Sequence, residues 1–292
     1  MLSGSLLKTC PSMSLLSKNE FFWTLSIMRK QKQMLMYKDI ALSTLYKSCE
    51  NDSQKQLVSD LLSNFLYLDE DRYASSLLSI AKYIKSLNLP IQTTALVAFC
   101  HDSKADSSQQ LLQELKVVVS TELGSALETI NRFDKIQKYY KQGIRHFIAV
   151  DEFSGSGQTV LNRFKDFSAW KLDGATIHFC LLATMNEAKL LVSDTDCSFY
   201  AANVLYKGIS DFYTNQDVPK MKQAMKDLES RLEPVINNTI LADYSLGYGR
   251  AEALYYKNLG NIPNNVFPIF WWKEYLGKEK RECLFMRVQD GY

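Results

Sequence analysis

Residues 147–159 read FIAVDEFSGSGQT, and the order of residue types here decides the fold. An apolar run, Phe147 to Val150, ends in two adjacent carboxylates, Asp151 and Glu152. Small residues follow: Ser154, Gly155, Ser156 and Gly157. Gln158 and Thr159 then lead into a helical pattern from Val160. An apolar run bounded by Gly143 and a Gly/Ser loop predicts a buried strand over residues 145–150 that feeds a helix. The N–H groups of such a loop converge, and the positive end of the next helix points at them, which suits a phosphate. Asp151 and Glu152 at the strand end suit ribose hydroxyls, which donate to carboxylates. A ribose 5-phosphate satisfies both halves of the pattern. A Walker-type loop is excluded, because no Lys precedes Thr159 and the acids stand on the wrong side. A plain Gly/Ser turn flanked by solvated acids stays open as the alternative.

Further runs of the same kind flank this stretch. Residues 94–99 (TALVAF), 176–183 (TIHFCLLA) and 198–206 read as strands. Between them, helices are expected from Ser107, over residues 122–140, over 160–167 and over 186–192. The alternation predicts an α/β fold with a parallel sheet covered by helices on both faces. Ligands bind such sheets at the carboxyl ends of the strands, where Asp151 lies. His101, just after the first strand, is a candidate for the same edge. His178, inside an apolar strand, reads as a core histidine, and His146 stands at the far end of its strand.

The first 90 residues read as helices. In residues 54–68, Leu57, Val58, Leu61, Leu62, Phe65 and Leu66 make one helical face. Asp69, Glu70 and Asp71 suit a helix start, and Pro90 closes the next helix. The expected division is a helical segment or cap over residues 1–90 and an α/β domain over 91–292. A chain of 292 residues with 46% hydrophobic residues can bury a sizeable core. A net charge of +2 gives no global case for nucleic-acid binding. None of the six cysteines forms a C-x-x-C pair, so a zinc site has no support. No run of about 18 apolar residues predicts a membrane span. With no signal peptide visible, a reducing cytoplasm is the simplest location.

A second distinctive stretch lies near the C-terminus: Gly247-Tyr248-Gly249, then Asn264 and Asn265, then VFPIFWW over residues 266–272. Two readings stand. Asn264 and Asn265 read a base edge while Phe270, Trp271 or Trp272 stacks on it, or the asparagines form a structural turn with the aromatics packed beneath.

The first stretch resembles the PRPP-binding motif of phosphoribosyltransferases, with Asp151 and Glu152 at the acid pair and Ser156, Gly157 and Thr159 at the phosphate loop. Together with GYG…PNNVFPIFW and the helical segment carrying FLYLDED, it resembles the phosphoribosyltransferase-like family of bacterial conflict and antiphage defence systems. Some members of that family stand in retron loci. The likeness spans roughly residues 21–272. It implies a phosphoribosyltransferase-like, Rossmann-like core. It also implies PRPP or nucleotide binding through residues 154 to 159, with Mg²⁺ held at Asp151 and Glu152. Lys104 would serve on a pyrophosphate loop, although that loop lacks the usual glycines, and Asn264 and Asn265 would complete the ligand site.

The resemblance implies a role in antiviral defence. As an enzyme, the chain would act at a ribosyl anomeric carbon, with Asp151 and Glu152 stabilising an oxocarbenium-like state. The other reading is a catalytically inactive sensor or adaptor, beside a partner such as a reverse transcriptase and its RNA–DNA product. Many relatives acting on purines place an Asp, as general base, where this chain has Gly155, which favours the second reading. The ligand, the trigger and the oligomeric state are not written in the sequence.

Overall fold

The computed structural model describes residues 18–30, 33–101 and 107–288. Helices α1 (Lys18–Lys30), α2 (Asp39–Ser48) and α3 (Asp52–Ser63) come first, then strand β1 (Leu66–Leu68) and α4 (Glu70–Ser86). Next come β2 (Thr94–Ala98), α5 (Ser107–Leu123), β3 (Glu128–Ile130) and α6 (Ile136–Lys141). The motif region holds β4 (His146–Ser154), α7 (Gln158–Ala169), β5 (Thr176–Met185), α8 (Asn186–Ser193) and β6 (Ser198–Leu205). After α9 (Val218–Glu229) only short elements remain: β7 (Val235–Ile236), β8 (Thr239–Ile240), β9 (Tyr255–Lys257), β10 (Glu274–Tyr275) and β11 (Glu279–Lys280).

Five strands form one parallel sheet in the order β3-β2-β4-β5-β6, with β4 at its centre. Successive side chains on a strand alternate faces, and here both faces are buried. Leu96, Ala98, Ile148, Val150, Cys180 and Leu182 pack beneath α4 and α5. Ala95, Val97, Phe147, Ala149, Phe179 and Leu181 pack on the opposite side, beneath Phe133, Ile136, Val160 and Phe167. Two-faced burial explains why these strands read as unbroken apolar runs. Cys100 and Cys180 are buried in this core. His178 is part-buried, with Nδ1 2.8 Å from Ser198 Oγ.

A third core joins the ends of the chain. Leu57, Leu61 and Phe65 share it with Phe267, Phe270, Trp271, Trp272 and Phe285. The Phe65 and Phe270 rings meet edge-to-face at 5.4 Å. Helix α4 instead lies on the sheet, started by Asp69, whose carboxylate accepts the Arg72 N–H at 2.9 Å.

Three expectations need correction. Residues 54–68 are not one helix. Helix α3 ends at Ser63, and Leu66, Tyr67 and Leu68 pair in parallel with Tyr255, Tyr256 and Lys257. That partner lies almost 190 residues away, so no local pattern announces it. Residues 122–140 are not one helix either. Gly124 turns at φ +71°, β3 joins the sheet edge beside β2, and α6 starts only at Ile136. The strand expected over residues 145–150 runs on to Ser154, because Asp151, Phe153 and Ser154 pair with Leu181, Ala183 and Thr184 of the equally long β5.

Candidate ligand cleft at the end of the central strand

Strands β2 and β4 are neighbours, but the chain leaves them toward opposite faces. From β2 it enters α5 on one face, and from β4 it enters α7 on the other. Such a switch point opens a crevice at the carboxyl ends of the strands. An open cleft of about 1110 Å³ lies there, lined by Gln110 and Gln113 of α5, by Asp151 and Glu152 of β4, and by Lys257, Asn264 and Asn265. Tyr244 and Arg287 add to its wall.

The two acids of β4 have different surroundings. Asp151 is half-buried, and its Oδ1 accepts the Glu152 N–H at 2.8 Å. Glu152 is 6% exposed. Its Oε2 lies 3.2 Å from Lys257 Nζ, and its Oε1 accepts the Tyr255 hydroxyl at 3.3 Å. Burial first, and then the Glu152 charge, push the Tyr255 phenol well above its ordinary pKa, so it stays protonated as a donor. Tyr255 stacks on Phe153 with centroids 4.9 Å apart. Lys257 Nζ also lies 5.1 Å above the Tyr73 ring, whose hydroxyl donates to Glu114. Strand β9 places Tyr255 and Lys257 by pairing with β1, in the register Leu68 to Lys257.

The loop after β4 is knit into the C-terminal stretch. Gly157 has φ +77°, and its N–H donates to Ser154 Oγ at 3.2 Å. The Gln158 N–H donates to Ser156 Oγ at 3.4 Å. A phosphate on this loop would exchange those bonds for its own. Ser156, Gln158 and Thr159 are exposed. Residues 154–159 are not among those lining the cleft, whereas Asn265, which packs against Gly155, is. A Cβ added to Gly155 would lie 2.2 Å from Asn265 Cγ. Asn265 itself is held by donating Nδ2 to Tyr248 O at 2.9 Å. Gly247, at φ +80°, passes so close that a Cβ there would lie 1.9 Å from Asn265 O. Gly247 therefore lets the chain pass under the asparagine turn, and Gly155 lets that turn close over the loop.

Of the residues singled out in the sequence, Asp151, Glu152, Asn264 and Asn265 meet at the cleft. Gly155 abuts Asn265 from outside. Lys104 lies outside the described residues. His101 has Asp166 of α7 as its partner, at 3.6 Å, and stacks on Phe133. The proposed aromatic stackers are core. Phe270, Trp271 and Trp272 are at most 2% exposed, and the two indoles donate to Val266 O and Glu233 O. Sequence reasoning missed Lys257, Tyr255 and Tyr73. Lys257 stands in an unremarkable YYK triplet, and nothing local links it to Glu152.

The donor set does not suit a divalent cation. Among the described residues no group of three or more His, Cys, Asp or Glu side chains is placed to hold a metal. Glu152 does not fit the expected role, because both of its oxygens are engaged and an ammonium stands where the cation would be. Asp151, the other carboxylate of the pair, accepts the Glu152 N–H.

The PRTase-CE family profile matches residues 48–287, which takes in the sheet, the cleft and the C-terminal stretch together. The chain belongs to the PRTase-CE family. This PRTase-CE protein is thus of phosphoribosyltransferase type, with a parallel α/β core. No curated protein sequence matches it. Solved structures with a similar arrangement include an orotate phosphoribosyltransferase from Aeropyrum pernix, at 13% identity over 47% of this chain and 72% of that one, with a TM-score of 0.29. Another is a Neisseria gonorrhoeae protein with bound ppGpp, at 10% identity over 55% and 96%, with a TM-score of 0.34. A Helicobacter pylori xanthine-guanine-hypoxanthine phosphoribosyltransferase matches at 12% identity over 48% and 84%, with a TM-score of 0.31. Among the described residues no helix is long and apolar enough to cross a membrane.

Proposed function

We propose that this PRTase-CE protein holds a phosphorylated ribose, as PRPP or a nucleotide, in the cleft at the end of β4, and that it serves in bacterial antiviral defence. The observation that carries the ligand reading is Asp151, a carboxylate near the carboxyl end of the central strand that lines the cleft there. Carboxylates accept hydrogen bonds from ribose hydroxyls, and Asn264 and Asn265 offer both donors and acceptors nearby. The defence role rests on the family resemblance. On that reading the chain works beside a partner such as a reverse transcriptase and its RNA–DNA product.

Sensing is favoured over turnover by one local fact. The position beside the loop that a general base would need is filled by the carboxamide of Asn265, and a carboxamide takes no proton at neutral pH. Calorimetric titration of the purified chain with PRPP and with ATP tests the ligand. Saturable binding to one of them, weakened at least tenfold by Asp151→Asn, is expected. No binding to either by a folded protein would sink the reading. Release of pyrophosphate or free base during the same incubation would move the site to the second reading, chemistry at the anomeric carbon.

A further inference from the structure

We infer that Lys257 is the built-in counter-ion of the β4 acid pair, and that the ligand of this cleft is held without a divalent cation. The inference rests on the ligand reading above and extends it to what neutralises the site.

The geometry is built into the fold. Lys257 and Glu152 side chains are each 8% exposed and lie 3.2 Å apart. Each end is fixed separately. Glu152 belongs to the central strand, and Lys257 is anchored by the β1–β9 register and by the Tyr73 ring beneath its ammonium. Both residues line the cleft, and Lys257 also lines the side pocket bounded by Asp69, Tyr73 and Glu114. A buried pair is a costly arrangement, and replacing it by apolar residues is often neutral or stabilising. Its position at the wall of the main cleft supplies a reason for it.

The charges lead to the inference. Two carboxylates side by side attract Mg²⁺, a hard cation that seeks anionic oxygens and substrate phosphates. Here Asp151, Glu152 and Lys257 together carry one net negative charge. A divalent ion approaching Glu152 would meet the ammonium first. The ammonium has three N–H donors, so the group that holds Glu152 can also offer a hydrogen to a ligand oxygen. Asp151 lines the same cleft, and a carboxylate accepts hydrogen bonds from ribose hydroxyls. The cleft therefore offers a ligand both an ammonium donor and a carboxylate acceptor, and the ammonium at Glu152 disfavours a divalent cation there.

The test uses the full chain and two probes. PRPP is titrated in EDTA and again in Mg²⁺. Affinities within twofold of each other are expected, and binding tenfold or more tighter with Mg²⁺ overturns the inference. If PRPP binds in neither, the ligand reading has failed, and the inference is then decided by the second probe. Mn²⁺ uptake by the ligand-free protein is followed by electron paramagnetic resonance in wild type, Glu152→Gln and Lys257→Met. Equal uptake by wild type and Glu152→Gln is expected, with at least tenfold tighter uptake in Lys257→Met, which uncovers the Glu152 carboxylate. A tenfold loss in Glu152→Gln, or no gain in a folded Lys257→Met, overturns it. Should Lys257→Met fail to fold by circular dichroism, the comparison of wild type with Glu152→Gln decides alone.

Discussion

The loop at residues 154–159 and the segment at residues 244–265 meet at one asparagine, yet they contribute in opposite ways. The loop carries the recognisable pattern. Its small residues, its left-handed Gly157 and its serine-capped amides follow from local chemistry. The C-terminal segment carries no such pattern, but it supplies the ammonium on Glu152, the phenol beside it and the carboxamide packed against Gly155. A motif can thus mark where a site lies while a distant segment sets its charge and its access.

The comparison breaks most severely at Lys257. Lys257→Met leaves the Glu152 carboxylate buried without its cation, and a loss of about 3–5 kcal/mol in urea unfolding is expected. Adding Glu152→Gln should recover most of it. A single variant as stable as wild type would mean that the pair is not buried in solution.

The next effect depends on pH and acts where α9 meets the C-terminal segment. Glu229 accepts from Ser245 Oγ and from the Leu246 N–H, and so ties down the turn that leads into GYG. Burial pushes its carboxyl up to about 7, from an ordinary 4.5. The folded protein therefore keeps a proton that the unfolded chain has released. The resulting stability is complete below about pH 4.5 and is lost as pH rises through 7, on the order of 3 kcal/mol. Stability curves between pH 5 and 8 should be flatter in Glu229→Gln. An unchanged slope would remove Glu229 as the cause.

Gly155→Asp sharpens the comparison at the point of contact. Its Cβ would meet the end of a side chain rather than backbone, so Asn265 can move aside, at an expected cost of about 1–2 kcal/mol. Asn265→Ala in the same chain should relieve that cost. A double-mutant cycle with no coupling would mean that the loop and the segment do not touch.

The smallest effects lie within the loop. Ser154→Ala removes the buried acceptor of the Gly157 N–H and should cost about 1 kcal/mol. Ser156→Ala loses only an exposed, longer bond and should cost less than about 0.5 kcal/mol. Equal costs for the two would show that burial is not what distinguishes these serines.

Much of this protein follows from the sequence alone. Apolar runs buried on both faces identify β2, β4 and β5, because a parallel sheet between two helical layers needs no polar face. The acids, the small loop and the start of α7 were readable for the same reason: each rests on neighbours within a few residues. Tertiary structure decided the rest. Three residues at 66–68 became a strand only because 255–257 came to lie beside them, and three at 128–130 only because an edge of β2 was open. The same long-range pairing brought Lys257 to Glu152 and turned a double acid into a single one with a resident cation. Sequence spacing carries no information about a partner 105 residues away. Only the packing of the chain ends into one core brings the two charges within 3.2 Å.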